Sequence, residues 1–529
     1  MRDIFYNRKL QLELLSKRIG ALKDGYRQNL AILGDELVGK TSLVFKFLEG
    51  FYDSRTIAIY IEARPEGIAN FARRFIGVLL YNFLSSSGIP LKEDLAYLLD
   101  KSEKYIPRTV RDARSILSSL TKRYKGAVFT ELLSLCDAIH EETSKSCVVI
   151  FDEFHNLESL GIKDLYGQWS KLLIARKTTM YIIISSRRAK AKAILAKELS
   201  LLFGNFEVIS VEPFDTGESE VYLKTRLGES GLNEPLRNFV VHFTGGYPFY
   251  LDIICAMLAK SGPESLSVIL EELVFEPSGL LNQRFSNYLK QFLDSPYSQD
   301  YLSLLYMVSN GQNKINDLVH LLRRPKKEIL TRINHLAETD TLNRSGDFLS
   351  INDRVFGFWL KFVHREKERS LTFDAKNQKS VFVACIEEMI NEFMRDSQKC
   401  VTERVSELLR LFADDTILIE KKRLRLERFR EVKLLNFPSK GLKDGLLGRS
   451  QDSVWIMAFK NDLITEDDIM DFSRECKKYR HKLQRKIIVS LKNIDANARL
   501  RAMDEKILTW DVGNLNRLLD IFSRPRIIV

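Results

Sequence analysis

Along the first 213 residues, short unbroken apolar runs alternate with longer stretches of helical periodicity. Asn29–Leu33, Arg55–Glu62, Cys147–Phe151, Met180–Ser185 and Phe206–Val211 read as strands. Runs that are apolar throughout suit strands covered on both faces, and their alternation with helical segments predicts a parallel sheet flanked by helices, an α/β fold class. Residues 66–140 carry only helical periodicity and form an insertion between the second and third strands. Residues 214–284 are also helical in pattern, with a start signal at Gly245-Gly246 and Pro248.

The pattern changes over residues 285–365. Tyr301–Ser309, Ile315–Leu322 and Lys326–Glu338 read as three short helices. Thr341–Arg344 and Phe348–Ile351 then read as a hairpin around Ser345-Gly346-Asp347, a strong turn signal. Three helices followed by a hairpin predict a winged helix. In a DNA-binding version the third helix enters the major groove, which would bring Lys326, Lys327 and Arg332 to DNA. The alternative is a module that binds protein or restrains the rest of the chain. Residues 366–529 carry a helix at Lys379–Asp396, basic strands, the apolar run Ser453–Lys460, a helix at Thr465–Tyr479 and a strand at Lys486–Leu491. Four domains are therefore expected, over residues 1–213, 214–284, 285–365 and 366–529.

The chemistry concentrates at the ends of the strands. Gly34-Asp-Glu-Leu-Val-Gly39-Lys40-Thr41 follows the first strand and opens a helix. This is the spacing of a phosphate-binding loop, in which glycines let backbone N–H groups face phosphates, a lysine neutralises their charge and a hydroxyl holds Mg²⁺. The helix opening at Lys40 adds the positive end of its dipole. The expected ATP contacts are Gly34, Asp35, Glu36, Leu37, Val38, Gly39, Lys40, Thr41 and Ser42. The third strand runs into Asp152 and Glu153. Asp152 would join Thr41 at Mg²⁺, and Glu153 would orient and deprotonate the attacking water, with Lys40 stabilising charge. The fourth strand ends in Ser185-Ser186-Arg187-Arg188, where either serine could sense the terminal phosphate and the arginines could stabilise charge.

These motifs resemble the archaeal-type ATPases of the AAA+/STAND-related P-loop group, which also occur in bacteria. The residues that carry the resemblance are Phe5-Tyr-Asn-Arg8, the loop Gly34–Thr41, Ile150-Phe-Asp-Glu-Phe154, Val211-Glu-Pro-Phe214, Thr244-Gly-Gly-Tyr-Pro248 and Ile351–Trp359. They cover residues 1–365 well and the remainder more loosely. The resemblance implies that Asn7 and Arg8 lie near the adenine and that Gly246 to Pro248 starts a lid helix over the nucleotide. It also implies a P-loop NTPase sheet with a helical lid. Asp35-Glu36 stand where the family often has arginines, and Gly204-Asn205 where it often has Gly-Arg. Residues 366–529 resemble the PD-(D/E)XK nuclease fold. Asp444 and Lys460 fill two of its positions, but Ala458 occupies that of the second acid, so a degenerate nuclease-like domain without cleavage is expected.

Composition narrows the class. The chain has 529 residues and is 45% hydrophobic, enough for several packed cores. No apolar run approaches the roughly 18 residues a spanning helix needs, so a cytoplasmic protein without membrane segments is expected. Six cysteines and seven histidines are scattered, with no Cys-x-x-Cys pair, which argues against zinc and disulfide frameworks. The net charge of +11 points mildly to a polyanionic partner. Locally, Lys421–Arg430 alternates basic with apolar residues, and Lys477–Lys486 is basic with no acid. Both are candidate DNA contacts; the alternative is a solvated face. A protein partner or an oligomer is compatible with the same features. The leading expectation is an ATP-binding, Mg²⁺-dependent ATPase acting as a conformational switch on its C-terminal modules. The alternatives are a nucleic-acid-binding regulator with little turnover and an interaction scaffold.

Overall fold

A computed structural model describes residues 5–51, 53–85, 91–120, 125–199, 206–228, 232–261, 266–369, 375–419, 422–438, 441–479 and 482–528. Gly204-Asn205, Lys421, Arg480 and His481, singled out above or within the basic stretches, lie outside these residues. The chain divides into two compact units, the first spanning Met1–Glu212 with Glu338–Asp340 and the second Pro213–Ala337 with Thr341–Val529.

The first unit begins with α1 (Lys9–Lys23), β1 (Asn29–Leu33), α2 (Lys40–Glu49) and β2 (Thr56–Glu62). The insertion is four helices, α3 (Ile68–Ser85), α4 (Leu95–Ser102), α5 (Pro107–Ser119) and α6 (Lys125–Thr143). Then come β3 (Ser146–Asp152), a 3₁₀ turn over Phe154–Leu160, α7 (Leu165–Ala175), β4 (Thr179–Ser185), α8 (Arg188–Lys197) and β5 (Phe206–Ser210). The five strands form one parallel sheet in the order β2-β3-β4-β1-β5. β4 lies between β3 and β1, so the serine-ended strand separates the strand that feeds the glycine loop from the one that ends in acids. This is the α/β architecture of a P-loop NTPase.

The central strands β1 and β4 are buried at every position, whereas β2 at the edge alternates beyond Ile57, with Ala58, Tyr60 and Glu62 half-buried. That difference follows from position, since an edge strand keeps one partner and one partly open face. Behind β3 the core is aromatic. The fully buried Trp169 of α7 meets Phe151 edge-on at 5.4 Å, Tyr181 at 5.3 Å and Phe129 at 6.3 Å. Phe151 immediately precedes Asp152, so this cluster fixes the strand end that presents the two carboxylates.

The second unit opens with α9 (Thr216–Leu227), α10 (Glu234–Thr244), α11 (Pro248–Ser261), α12 (Leu266–Leu270) and α13 (Leu280–Leu293). Next come α14 (Ser298–Ser309), α15 (Ile315–Leu322), α16 (Lys326–Glu338), and the hairpin of β6 (Leu342–Ser345) and β7 (Phe348–Ile351). After α17 (Arg354–Trp359), α18 (Arg365–Arg369), α19 (Ala375–Ser397) and α20 (Val401–Leu409), β8 (Asp415–Ile419) and β9 (Lys422–Leu426) form a two-stranded antiparallel ribbon. The chain ends in β10 (Glu431–Asn436), β11 (Asp444–Arg449), β12 (Val454–Lys460), α21 (Glu466–Cys476), β13 (Leu483–Ser490), α22 (Ala496–Asp504), β14 (Leu508–Trp510) and α23 (Val512–Ile521).

These last strands make a mixed sheet in the order β10-β11-β12-β13-β14, antiparallel from β10 to β12 and parallel thereafter. Alternate residues of β12 enter opposite cores. Trp455, Met457 and Phe459 pack with the α20 and α23 side, whereas Val454, Ile456 and Ala458 pack with the α21 and α22 side. A half-buried charge cluster around the buried His242 ties α10, α17 and α23 together. Asp520 accepts from Arg354 and, at 2.8 Å, from Arg526, while His242 lies 3.2 Å from an Arg354 Nη. Burial, aided by the flanking guanidinium groups, holds the His242 imidazole well below its usual range, so it remains neutral beside them.

Candidate nucleotide site

The glycine loop has the backbone its residue types require. A Cβ at Gly34 would lie 2.2 Å from the Val211 carbonyl oxygen, so only glycine lets β1 turn this close to the chain beyond β5. Gly39, the residue before α2, has φ of +87°, in the left-handed region that favours glycine. Lys40 is 5% exposed, and its Nζ donates to the Asp35 carbonyl at 2.6 Å, folding the side chain back over its own loop. Burial lowers the Lys40 amine, and the carboxylates of Glu153, Asp152, Glu36 and Asp35 partly offset this. Val38 is buried, while Glu36 and Ser42 are exposed and Asp35, Leu37 and Thr41 are half-buried.

Asp152 is the hub. It is 3% exposed, and its Oδ2 accepts from Thr41 Oγ1 at 2.7 Å and from the Tyr60 hydroxyl at 2.7 Å. Its Oδ1 accepts from the Glu153 backbone N–H at 2.9 Å. Residues predicted from separate motifs, Thr41 on α2 and Asp152 on β3, thus meet directly. A hydroxyl that donates to a carboxylate keeps its lone pairs for a cation. Thr41 and Asp152 offer only hard oxygen donors, and among the described residues no group of three or more His, Cys, Asp or Glu side chains could form a cage. That donor set fits Mg²⁺, which takes one or two protein oxygens and completes its shell with phosphates and water.

Glu153 leaves β3 with φ 48° and ψ 45°, a left-handed conformation uncommon for a residue with a side chain. Its Oε2 accepts from the Ser186 N–H at 2.9 Å and the Ser186 hydroxyl at 2.8 Å. Burial raises the Glu153 carboxyl, while the two Ser186 bonds and Lys40 pull it down. The two serines divide their work. Ser185, fully buried, places its Oγ 2.9 Å from His155 Nδ1 and accepts from the Arg187 N–H at 3.1 Å. Ser186 is the one that meets the acid. His155 Nδ1 also lies 3.3 Å from Glu153 Oε2, and burial with the nearby cations lowers its imidazole to about 4. It is therefore a neutral bridge between Ser185 and Glu153.

Around this centre, Arg188 grips the Glu212 carboxylate with both Nη atoms, at 2.8 and 2.5 Å, and lies 3.6 Å from Asp35. Paired this way, it is anchored to the loop rather than projecting as a free cation. Arg8 donates to the Glu212 carbonyl, and both Asn7 and Arg8 have positive φ, 59° and 70°. Pro248 belongs to the second unit, where it opens α11 after Gly245 and Gly246.

Two members of the constellation escape motif reading. Tyr60 sits on an edge strand whose alternation marks it as partly open, and nothing in its neighbours announces a bond to Asp152. His155 stands two residues beyond Glu153 in the mixed turn Phe154–Leu160, among Asn156, Glu158 and Ser159, and no local signal sets it apart from those neighbours.

The residues proposed for nucleic acid are partly engaged elsewhere. The Arg332 guanidinium lies 3.4 Å from the centre of the Tyr297 ring and 3.8 Å from Asp300, so it faces α14 and not solvent. Lys326 and Lys327 are exposed. The Ser345–Asp347 turn is docked on β8, with the Asp347 N–H donating to the Thr416 carbonyl at 2.8 Å. In the second basic stretch Lys478 pairs with Glu475, Lys486 donates to the Glu505 carbonyl, and Arg485 lies over Trp455. Arg423 and Arg425 are exposed on the β8–β9 ribbon, Arg425 with an Nη 3.3 Å from Asp414 Oδ1. In the C-terminal sheet Asp444 is exposed at the start of β11, Ala458 is fully buried, and Lys460 Nζ is 2.6 Å from Asp468 Oδ2. Asp468 also accepts from the Thr465 N–H and hydroxyl, at 2.8 and 2.9 Å.

Neither a protein-family model nor a curated protein matches the chain. Among solved structures, a Walker-type ATPase of Pyrococcus abyssi is similar at 18% identity, covering 68% of this chain and 97% of that one, with a TM-score of 0.49. The Aeropyrum pernix ORC2 protein, in ADPNP and ADP complexes, is similar at 12% identity over 70% of this chain and 98% of that one, with a TM-score of 0.41. AMPPCP-bound DnaA from Aquifex aeolicus is similar at 12% identity over 63% of this chain and 90% of that one, with a TM-score of 0.29.

Proposed function

We propose that the chain binds ATP with Mg²⁺ and hydrolyses it to ADP and phosphate, using the cycle as a switch on its C-terminal modules. The observation that carries this is the direct meeting of Thr41 and Asp152 beside a glutamate already oriented by Ser186. Three motifs from three strand ends converge only if the sheet is built to present them together. In this reading Gly34–Ser42 receives the phosphates and Lys40 leaves the Asp35 carbonyl to neutralise them. Thr41 and Asp152 hold Mg²⁺, which draws charge from the phosphate oxygens when bound. Glu153 orients water and takes its proton, and its raised carboxyl suits a base that must exchange protons. Ser186 and His155 hold Glu153 until that point. Asn7, Arg8 and Pro248 are assigned to the adenine and lid positions on the resemblance described above.

For the second unit we propose a helical lid over residues 214–284, a winged helix over 285–365 and a nuclease-like sheet in 366–529. The third helix is a poor DNA reader here because Arg332 is spent on Tyr297 and Asp300. The exposed Arg423 and Arg425 favour the β8–β9 ribbon as the polyanion contact, since a two-stranded ribbon fits the major groove. Cleavage is not part of the proposal: Lys460 is held by Asp468, and the second acid position is Ala458. Turnover of purified protein with Mg²⁺, measured without polymer, with duplex DNA and with RNA, tests the reading. Hydrolysis that DNA accelerates supports a DNA-coupled switch. Tight ATP binding with no turnover under any condition would replace it with the regulator reading.

A further inference from the structure

We propose that Tyr60 is the positioning residue of the Mg²⁺ site, holding Asp152 in place from the neighbouring strand. The inference rests on the nucleotide reading above. Two donors share Asp152 Oδ2, Thr41 Oγ1 and the Tyr60 hydroxyl, each at 2.7 Å, and the Glu153 N–H holds the other oxygen. Thr41 is the donor whose oxygen must also serve a cation. The Tyr60 hydroxyl donates to the carboxylate, and its task there is orientation.

The surrounding packing supports that orientation. α2 places Thr41 and Phe45 four residues apart, on one helix face. Phe45 then covers the Tyr60 ring, with centroids 4.8 Å apart, so the helix that carries the hydroxyl also fixes the phenol. β2 and β3 pair in parallel with Tyr60 opposite Ile150 and Glu62 opposite Asp152, so the phenol reaches diagonally along the ladder to the strand end. A buried carboxylate that loses one of its donors keeps its charge but loses its direction.

Tyr60→Phe removes the hydroxyl and leaves the ring against Phe45. The test measures the affinity of the full chain for a non-hydrolysable ATP analogue by calorimetry, in EDTA and across a Mg²⁺ titration. Wild type, Tyr60→Phe, Asp152→Asn and Lys40→Ala are compared. For Tyr60→Phe, affinity in EDTA stays at the wild-type value and the half-saturating Mg²⁺ concentration rises about tenfold, the size of one charge-assisted hydrogen bond. Asp152→Asn shows the larger loss of Mg²⁺ dependence that marks the ligand itself. A Tyr60→Phe titration superimposable on wild type overturns the proposal, and so does an equal loss in EDTA and Mg²⁺, which would mark a merely structural tyrosine. If Lys40→Ala binds the analogue as wild type does, the nucleotide reading fails first and the Tyr60 role falls with it.

Discussion

Acidification should weaken the first unit through His155, by an amount the site itself sets. His155 is 6% exposed, wedged between Ser185 and Glu153, and its imidazole is lowered to about 4. In the unfolded chain a histidine titrates near 6.5, so between those values the unfolded state binds the extra proton and the folded state refuses it. The contribution is therefore complete above pH 6.5 and is lost as pH falls toward 4. From pH 7 to pH 5 the loss comes to about 2 kcal/mol. His155→Gln retains a side chain that can bond Ser185 but cannot titrate. Urea unfolding at pH 7, 6 and 5, followed by amide exchange in peptides from β3 and β4, reads the first unit alone. The stability of wild type relative to His155→Gln should fall by about 2 kcal/mol across that range. A difference independent of pH would refute a neutral, buried imidazole at this position.

Other outcomes follow from the same geometry. Glu153→Gln should bind ATP as wild type does and lose about 10²–10⁴-fold in turnover, because an amide cannot take the water's proton; single-turnover hydrolysis checks it. Trp169→Ala should destabilise the first unit by about 3–5 kcal/mol, since it empties the centre of the aromatic cluster behind Asp152; a urea titration followed by exchange in β3 measures this. Plasmid incubated with the protein and Mg²⁺ or Mn²⁺ should remain intact, with or without ATP. Nicking that vanishes in both Asp444→Ala and Lys460→Ala would show that the Lys460–Asp468 pair opens and that a metal site forms.

How much of this was legible in the sequence depended on whether a residue's role is local. β1 falls on the expected residues, and β4 differs by one, because buried parallel strands must be apolar at successive positions and that pattern is visible without neighbours. β3 runs one residue further than its apolar stretch, so Asp152 is the last strand residue and not the first of a loop. The strand near Lys486 begins earlier, at Leu483, since pairing with β12 and not apolarity sets its start. β14, only three residues long, went unread, as did α22 and α23. Within the site, the loop and the acids carry spacing signatures, but Tyr60 and His155 act through partners 92 and 30 residues away. Their roles exist only once the sheet order is fixed. Arg332 shows the converse: a basic residue on an expected recognition helix is consumed by an aromatic ring and an acid that no local pattern connects to it.

The central claim is that Gly34–Thr41 is a working phosphate site, and the affinity of Lys40→Ala for ATP tests it most directly. Lys40 is the side-chain cation of that loop, and it is folded onto the Asp35 carbonyl with its charge partly desolvated. Titration calorimetry of wild type and Lys40→Ala with Mg²⁺ and ATP should show at least a tenfold loss of affinity in the variant, with the fold unchanged by circular dichroism. Equal affinity in the two proteins would contradict the account and remove the basis for the assigned roles of Thr41, Asp152 and Glu153.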